Sequence, residues 1–202
     1  MQTYQQLQKE LGFKDELPVT VDWSAAADFL FLIKECCLER KPKVIVECSS
    51  GLTSLTLAKC CQINGIGKVY SLENGKEYAD ASKLNLKNAD LIDYADIIHA
   101  PLESVTINDN KYDWYSLSEF PDIKIDMLVI DGPPGFIQKH SRFPAIPLLL
   151  DKLADQSIIF LDDAARDEEK ELVAMWLKMY PFIEHEYVKT ERGCSILKIN
   201  KL

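Results

Sequence analysis

Three carboxylates stand where short apolar runs give way to turns, a setting in which a carboxylate can hold a ribose, take a proton or bind a cation. The first, Glu47, follows Val44-Ile45-Val46 and leads through Cys48-Ser49-Ser50-Gly51 into Leu52-Thr53-Ser54. Small residues at such a turn let a ligand approach the backbone. The helix start behind them offers free N–H groups and a positive dipole end to a polar or anionic group. The second, Glu73, ends Val69-Tyr70-Ser71-Leu72 and precedes Asn74, about twenty-five positions after the first turn, where a carboxylate accepts hydrogen bonds from both ribose hydroxyls. Each motif has a plainer counterpart, since tight turns need small residues anyway and a strand-end Glu is commonly just solvated. Together they point to a nucleoside.

The third carboxylate, Asp131, closes the apolar run Met127-Leu128-Val129-Ile130 and enters Gly132-Pro133-Pro134-Gly135, whose prolines stiffen the turn and fix the Asp. Just beyond it, His140 has an unperturbed pKa suited to accepting a proton, against the commoner role of a surface histidine. Arg142 carries a planar fork that suits an acidic or phosphorylated acceptor, and it could equally pair with Asp131 or Asp163. Trp23, beside a helix start, either lines the pocket or packs against the fold.

From Lys43 onward β-branched runs alternate with segments of helical period, the pattern of βαβ units around a parallel sheet. The expected strands are 44–47, 68–72, 95–99, 125–131, 157–161, 184–189 and 194–199, the last two forming an antiparallel hairpin across Thr190-Glu191-Arg192-Gly193. Helices are expected over 53–64, 76–88, 143–153 and 165–179, preceded by a long one over 24–40 with Ser24 as its N-cap. Residues 101–124 hold Tyr112, Trp114, Tyr115 and Phe120 in a long connection that is either a substrate wall or a packed flap.

Neighbouring strands lie about 4.8 Å apart, so adjacency of the fourth and fifth would bring Asp131 beside Asp162-Asp163. Three carboxylates on one edge repel unless protonated or neutralised, and an all-oxygen set suits magnesium or calcium rather than zinc. The competing reading has Asp163 capping the following helix and Asp131 contacting only a cofactor or Arg142.

Bulk properties narrow the partners. The chain has 202 residues, 47% hydrophobic and 27% charged, as expected of one globular domain spanning 1–202 with a helical extension over 1–42. A net charge of −9 without a basic cluster argues against nucleic acid. The stretch from Phe29 to Leu38 is too short to cross a bilayer, and the first residues lack a signal core, so a cytoplasmic protein with a small-molecule substrate is expected. The six cysteines and three histidines show no zinc spacing, and the cysteines read as reduced core residues. Oligomeric state is not legible.

The motifs in order resemble the class I S-adenosylmethionine-dependent methyltransferases, and within them the methyltransferase domain 24 group. The resemblance rests on Asp22-Trp23-Ser24, the Glu47–Ser54 turn, Tyr70-Ser71-Leu72-Glu73, Ala100-Pro101-Leu102, Asp131-Gly132-Pro133-Pro134-Gly135, Arg142-Phe143-Pro144-Ala145 and Leu161-Asp162-Asp163-Ala164. It implies a Rossmann-like α/β three-layer sandwich whose mostly parallel sheet of seven strands runs 3-2-1-4-5-7-6, strand seven antiparallel. It further implies that Glu47, Ser49, Ser50, Gly51, Thr53 and Ser54 hold the methionine part of S-adenosylmethionine. Glu73 with Asn74 would take the ribose, and His99, Ala100 and Pro101 would border the adenine. Asp131 would stand at cofactor and acceptor alike, with His140 and Arg142 as further catalytic candidates. Asp131, Asp162 and Asp163 resemble the magnesium set of the catechol-type and macrolide-sugar methyltransferases, which would make the acceptor a hydroxyl. One departure stands out: the usual Glu-x-Gly-x-Gly reads Glu47-Cys48-Ser49-Ser50-Gly51, so a serine is strained if that position needs positive φ. That departure leaves room for a non-catalytic binding module. A nucleotide-dependent oxidoreductase is the more distant alternative, lacking both a Gly-x-Gly-x-x-Gly after the first strand and a Tyr-x-x-x-Lys pair.

Overall fold

The computed structural model describes residues 2–200. In chain order its elements are α1 (Tyr4–Leu11), α2 (Ala27–Arg40), β1 (Val44–Cys48), α3 (Leu52–Asn64), β2 (Lys68–Glu73), α4 (Lys76–Asn88), β3 (Ala95–His99), β4 (Leu102–Ile107), β5 (Asn110–Tyr115), β6 (Ile125–Ile130), α5 (Ala145–Leu149), β7 (Leu153–Leu161), α6 (Asp167–Met179), β8 (Ile183–Val188) and β9 (Cys194–Asn200). The central strands are apolar on both faces, and their twofold alternation divides the side chains between two cores. Ile45, Met127, Val129, Ile158 and Phe160 join the core under α1 to α4. Their neighbours Val46, Leu128, Ile130, Ile159 and Leu161 join the opposite core, under α5, α6 and the β4–β5 hairpin.

The seven-stranded sheet runs β3-β2-β1-β6-β7-β9-β8, and β9 is antiparallel to both of its neighbours. This is the expected Rossmann-like sandwich. It differs in detail because β4 and β5 intervene in the chain as a separate two-stranded sheet. Register does the positioning: Glu47 pairs with Ser71, Glu73 with His99, and Ile130 with Leu161. The ladder continues one residue past the strands, with Ser49 N donating to the Leu72 carbonyl (2.9 Å), Asp131 N to Cys48 (3.1 Å), Asp162 N to Ile130 (3.0 Å) and Ala100 N to Glu73 (2.7 Å). Every motif residue that follows a strand is thereby pinned to one carboxyl edge.

Several expectations are corrected. α2 starts at Ala27 rather than Ser24, and its cap residue Ala26 makes no side-chain cap bond. Ser24 instead accepts from Thr20 N with its hydroxyl, closing a tight turn ahead of the helix. The helix expected over 143–153 shrinks to α5 and a single 3-10 turn, because Arg142 and Phe143 are drawn into the core side of the preceding loop. The aromatic connection is a packed flap: Tyr112, Trp114, Tyr115 and Phe120 are all buried. Among the described residues no helix is long and apolar enough to cross a membrane. All six cysteines are free, and five of them are buried.

Candidate active site

Glu47 is completely buried and works as the hub of the first turn. Its Oε2 accepts from Ser54 Oγ (2.6 Å) and Ser71 Oγ (2.7 Å), and its Oε1 from Thr53 Oγ1. Burial pushes its carboxyl up to about 7, against the pull of the three hydroxyl donors. With its oxygens engaged by α3 and β2, Glu47 shapes the turn and has no free face toward a ligand. Thr53 and Ser54 are committed to the same task.

The turn itself is strained at the departing residue. Ser49 has φ +116°, and Gly51 follows at φ +132°. A non-glycine residue held there costs on the order of 1–3 kcal/mol, which the surrounding ladder must offset. Gly51 meets nothing within 4 Å where a Cβ would stand, so the space over it is open, but its φ still excludes a side chain. The first turn of α3 carries no acidic residue of its own, and Glu47 meets it through the Thr53 and Ser54 hydroxyls.

Ser50 faces the second strand. Its hydroxyl donates to Glu73 Oε2 (2.7 Å) and lies 3.0 Å from Ser82 Oγ of α4. Gly75 N donates to Glu73 Oε1 at 3.0 Å, so a mostly buried carboxylate is aimed by one turn on each side. Asn74 is half-buried beside it, His99 and Pro101 are exposed, and Ala100 is buried with its N–H on the Glu73 carbonyl.

At the β6 and β7 ends the sequence-predicted acids do converge, and Arg142 lies among them. Its Nη2 donates to Asp163 Oδ2 (2.8 Å), to the Asp131 carbonyl (3.0 Å) and to Asp131 Oδ1 (3.3 Å), while Nη1 donates to the Asp162 carbonyl (2.9 Å). Both carboxylate pairings left open by the sequence are realised by one guanidinium. Packing fixes it: Phe143 lies between Tyr112 (ring centroids 5.2 Å apart) and Trp176 (6.5 Å), and Trp176 Nε1 donates to the Phe143 carbonyl at 2.9 Å. Arg166 adds a second cation on Asp163 Oδ2 at 3.0 Å, and Glu169 Oε1 stands 4.0 Å from Arg142 Nε. Burial pushes the Asp131 carboxyl up to about 7, with Arg142 pulling it back and Asp163 adding to the rise. Burial, reinforced by Asp131 and Asp163, drives Asp162 well above the usual carboxylate range.

The magnesium expectation is therefore corrected. The neutralising charge on this edge belongs to Arg142, and among the described residues no group of three or more His, Cys, Asp or Glu side chains is arranged to hold a metal ion. Asp163 does not cap α6 with its side chain; the residue at that cap is Arg166. His140 is engaged by α6, its Nε2 lying 2.8 Å from Glu171 Oε2 and its backbone N–H donating to Glu168 Oε2 at 3.2 Å. It ties the loop to α6.

Two participants, Glu169 and Ser71, escaped the sequence reading, and Tyr115 was read only as one aromatic of the 101–124 connection. Glu169 had a signal, since it falls in phase with Leu172, Val173 and Trp176 on the inward stripe of α6. Tyr115 is buried, with its hydroxyl 2.4 Å from where a Gly132 Cβ would stand, so only glycine fits there. Ser71 emerges only from the β1–β2 register. Two cavities, of about 310 Å³ beside Arg40, Lys43 and Asp126 and about 540 Å³ beside Phe13, Lys59 and Asn85, are lined by none of these residues.

Comparison with known proteins gives the family and the fold. The sequence profile of a methyltransferase domain family, number 24, matches residues 46–164, more than half of the chain. No curated protein matches the chain. Among solved structures, the O-methyltransferase from Bacillus cereus in complex with S-adenosylhomocysteine superposes with a TM-score of 0.68 at 13% identity, covering 98% of this chain and 90% of that one. An S-adenosylhomocysteine-bound methyltransferase from Podospora anserina gives 0.70 at 16% identity, covering 98% and 88%. The O-methyltransferase of tomaymycin synthesis from Streptomyces achromogenes, in complex with S-adenosylmethionine, gives 0.67 at 13% identity, covering 96% and 86%. At these identities the likeness is one of fold, and the profile match supplies the family. The chain belongs to the methyltransferase domain 24 family and is a class I S-adenosylmethionine-dependent methyltransferase.

Proposed function

We propose that the chain transfers a methyl group from S-adenosylmethionine to a hydroxyl of a small molecule, with Asp131 as the base. One observation carries this reading. Asp131 stands at the carboxyl edge with Oδ1 anchored by Arg142 at 3.3 Å and its carboxyl pushed up to about 7, a value matched to proton exchange near neutrality.

The residues present fit the cofactor. Open space over Gly51, the N-terminus of α3 and the carboxylate of Glu73 at the next strand end form a row suited to the methionine and ribose parts. Glu73 would exchange its Ser50 partner for ribose hydroxyls, with Asn74 beside it, while His99, Ala100 and Pro101 border the base. Glu47, Thr53 and Ser54 act at one remove by holding the turn, and Ser49 and Ser50 present backbone. Once bound, the cofactor supplies a methyl on a sulfonium whose departure needs no acid, so alignment provides much of the rate. The bound cofactor would offer the acceptor oxygen an electrophilic methyl with a thioether as leaving group, and Asp131 would take the hydroxyl proton. Arg142 keeps Asp131 in place and charged without itself meeting the acceptor. No step needs a divalent cation.

The test is transfer from radiolabelled S-adenosylmethionine to a panel of small phenols, sugars and hydroxy acids in excess EDTA. The expected product is one methyl heavier, formed together with S-adenosylhomocysteine and undiminished by the chelator. Transfer that stops in EDTA and returns with magnesium contradicts the metal-free arrangement. Binding of the cofactor with no transfer to any member would favour the non-catalytic reading that the strained Ser49 permits.

A further inference from the structure

Arg192 has no part in the chemistry above, yet its position is tightly determined. It lies in the turn between β8 and β9, where Gly193 at φ +76° presses on the loop after β7 so closely that a Cβ would stand 2.5 Å from Ala165 N. Ala164 N donates to the Gly193 carbonyl and Ala165 N to the Arg192 carbonyl, both at 3.0 Å, and Glu191 N donates to Asp28 Oδ2 at 2.6 Å. The turn is thus clamped between the start of α2 and the segment carrying Asp162 and Asp163.

The other arginines of the chain are all engaged: Arg40 with the Gln156 carbonyl, Arg142 with the acids, Arg166 with Asp163. The Arg192 guanidinium, half-buried, makes no ion pair or side-chain hydrogen bond among the described residues, although it is close enough to Asp131 to lower that carboxyl's affinity for protons. An unpaired guanidinium on a clamped turn that packs against the segment after Asp162 and Asp163, within electrostatic reach of the base, is placed to receive an anion from outside.

A second feature lies in the same quarter. Trp23 is 62% exposed and Phe136 79% exposed, and the two rings meet edge to face with centroids 6.3 Å apart. Phe136 belongs to the loop that leaves Asp131. Trp23 is presented by the turn that Thr20 and Ser24 close, and nearby Ala25 accepts from Tyr4 Oη at 2.9 Å, a tyrosine that itself feels the Arg192 charge. Two large rings left in water at the rim of a polar site offer a flat apolar surface for a ligand.

We propose that Arg192 selects the acceptor: a hydroxyl compound bearing an acid group, paired through that group with the guanidinium and laid against Trp23 and Phe136. The inference rests on the methyltransferase reading and narrows its substrate class. The Arg192 fork takes the two acid oxygens, and the aromatic pair covers the body of the molecule. The hydroxyl is then left toward Asp131. Arg142 and Arg166 are taken up by Asp131 and Asp163, so Arg192 is the arginine left to pair with an acid group of the ligand.

Protein saturated with S-adenosylhomocysteine, titrated calorimetrically with a hydroxybenzoate and with its methyl ester, tests this without requiring turnover. The acid is expected to bind about 10- to 100-fold more tightly than the ester, the range of a charge-assisted pair. Arg192→Ala should abolish that preference by weakening the acid alone, Arg192→Lys should restore part of it, and Phe136→Ala should weaken acid and ester alike. S-adenosylhomocysteine affinity should be the same in all the variants. Equal binding of acid and ester to the wild type, no binding of either, or a preference that survives in Arg192→Ala overturns the acceptor assignment. Failure of S-adenosylhomocysteine itself to bind overturns the underlying reading instead, so the two failures are told apart in one experiment.

Discussion

Asp131→Asn is expected to lower kcat/KM for hydroxyl methylation at neutral pH by about a hundred- to ten-thousand-fold, the usual contribution of a positioned general base. The substitution is close to isosteric. An amide oxygen can still accept from Arg142 Nη2 where Oδ1 now does at 3.3 Å, so the loop should keep its shape and the loss should fall on kcat. The wild-type profile adds a sharper signature. A base works deprotonated, and burial places this carboxyl at about 7, so the rate should rise with pH through that value and level off above it. Asp131→Asn should lose the rising limb as well as the rate. Activity within tenfold of the wild type, or an intact limb, would show that the proton leaves by another route.

The second large effect is on stability. Arg142→Ala should cost about 3–5 kcal/mol of unfolding free energy, the penalty for removing one partner of a buried ion pair. Arg142 is 3% exposed and answers Asp131, Asp163 and the Asp162 carbonyl, with Glu169 nearby, so its loss leaves several buried acids without their cation. Asp162 Oδ2, Asp163 Oδ1 and Glu169 Oε2 already lack hydrogen-bond partners, which leaves little local capacity to compensate. The sign of the pH dependence follows. Without the guanidinium the acids bind protons still more readily in the folded state than in the unfolded chain. The deficit of the variant should therefore shrink as pH falls from about 8 to about 5 and widen as it rises. Arg142→Lys keeps a charge but not the fork, and should recover only part of the loss. Urea denaturation of the three proteins at two pH values reads all of this. A pH-independent deficit, or one below about 1 kcal/mol, would mean that the acids are not held by Arg142 in solution.

Much of this site was legible because strand-end residues report on a sheet edge. Asp131 and Asp162 each close an apolar run, and adjacency of those runs brings them together without any knowledge of the loops. Arg142 was legible as a partner for either Asp131 or Asp163, but not its burial between both. Arg142 lies in a loop with no periodicity, and its burial depends on Phe143 wedging between Tyr112 and Trp176, which come from a hairpin and a helix far away in the chain. The same non-local packing explains the shortened helix after Phe143 and the contacts of His140 with Glu168 and Glu171 of α6.

The β4–β5 hairpin had a readable sign that the overall polarity of its strands obscured. Asn108 and Asp109 both adopt positive φ, as a two-residue hairpin turn requires, and Tyr112 and Trp114 alternate with exposed Lys111 and Asp113. Glu47 illustrates a different limit. Its position at a strand end suggested contact with a ligand, but Thr53, Ser54 and Ser71 are hydroxyls spaced to occupy it, and only the β1–β2 register brings Ser71 within reach. Ser49 shows the reverse case, since the departure from glycine was visible in the sequence and the structure does hold that residue at φ +116°.

Cofactor binding at this edge depends on Glu73 holding a nucleoside at the end of β2, so the deciding measurement is calorimetric titration of S-adenosylhomocysteine into the wild type and Glu73→Ala. The wild type should bind, and the variant should bind more weakly by about 1.5–3 kcal/mol, the cost of losing charge-assisted hydrogen bonds to the ribose hydroxyls. Equal affinity in the two proteins, or no binding by a correctly folded wild type, would contradict the placement of the cofactor at this edge.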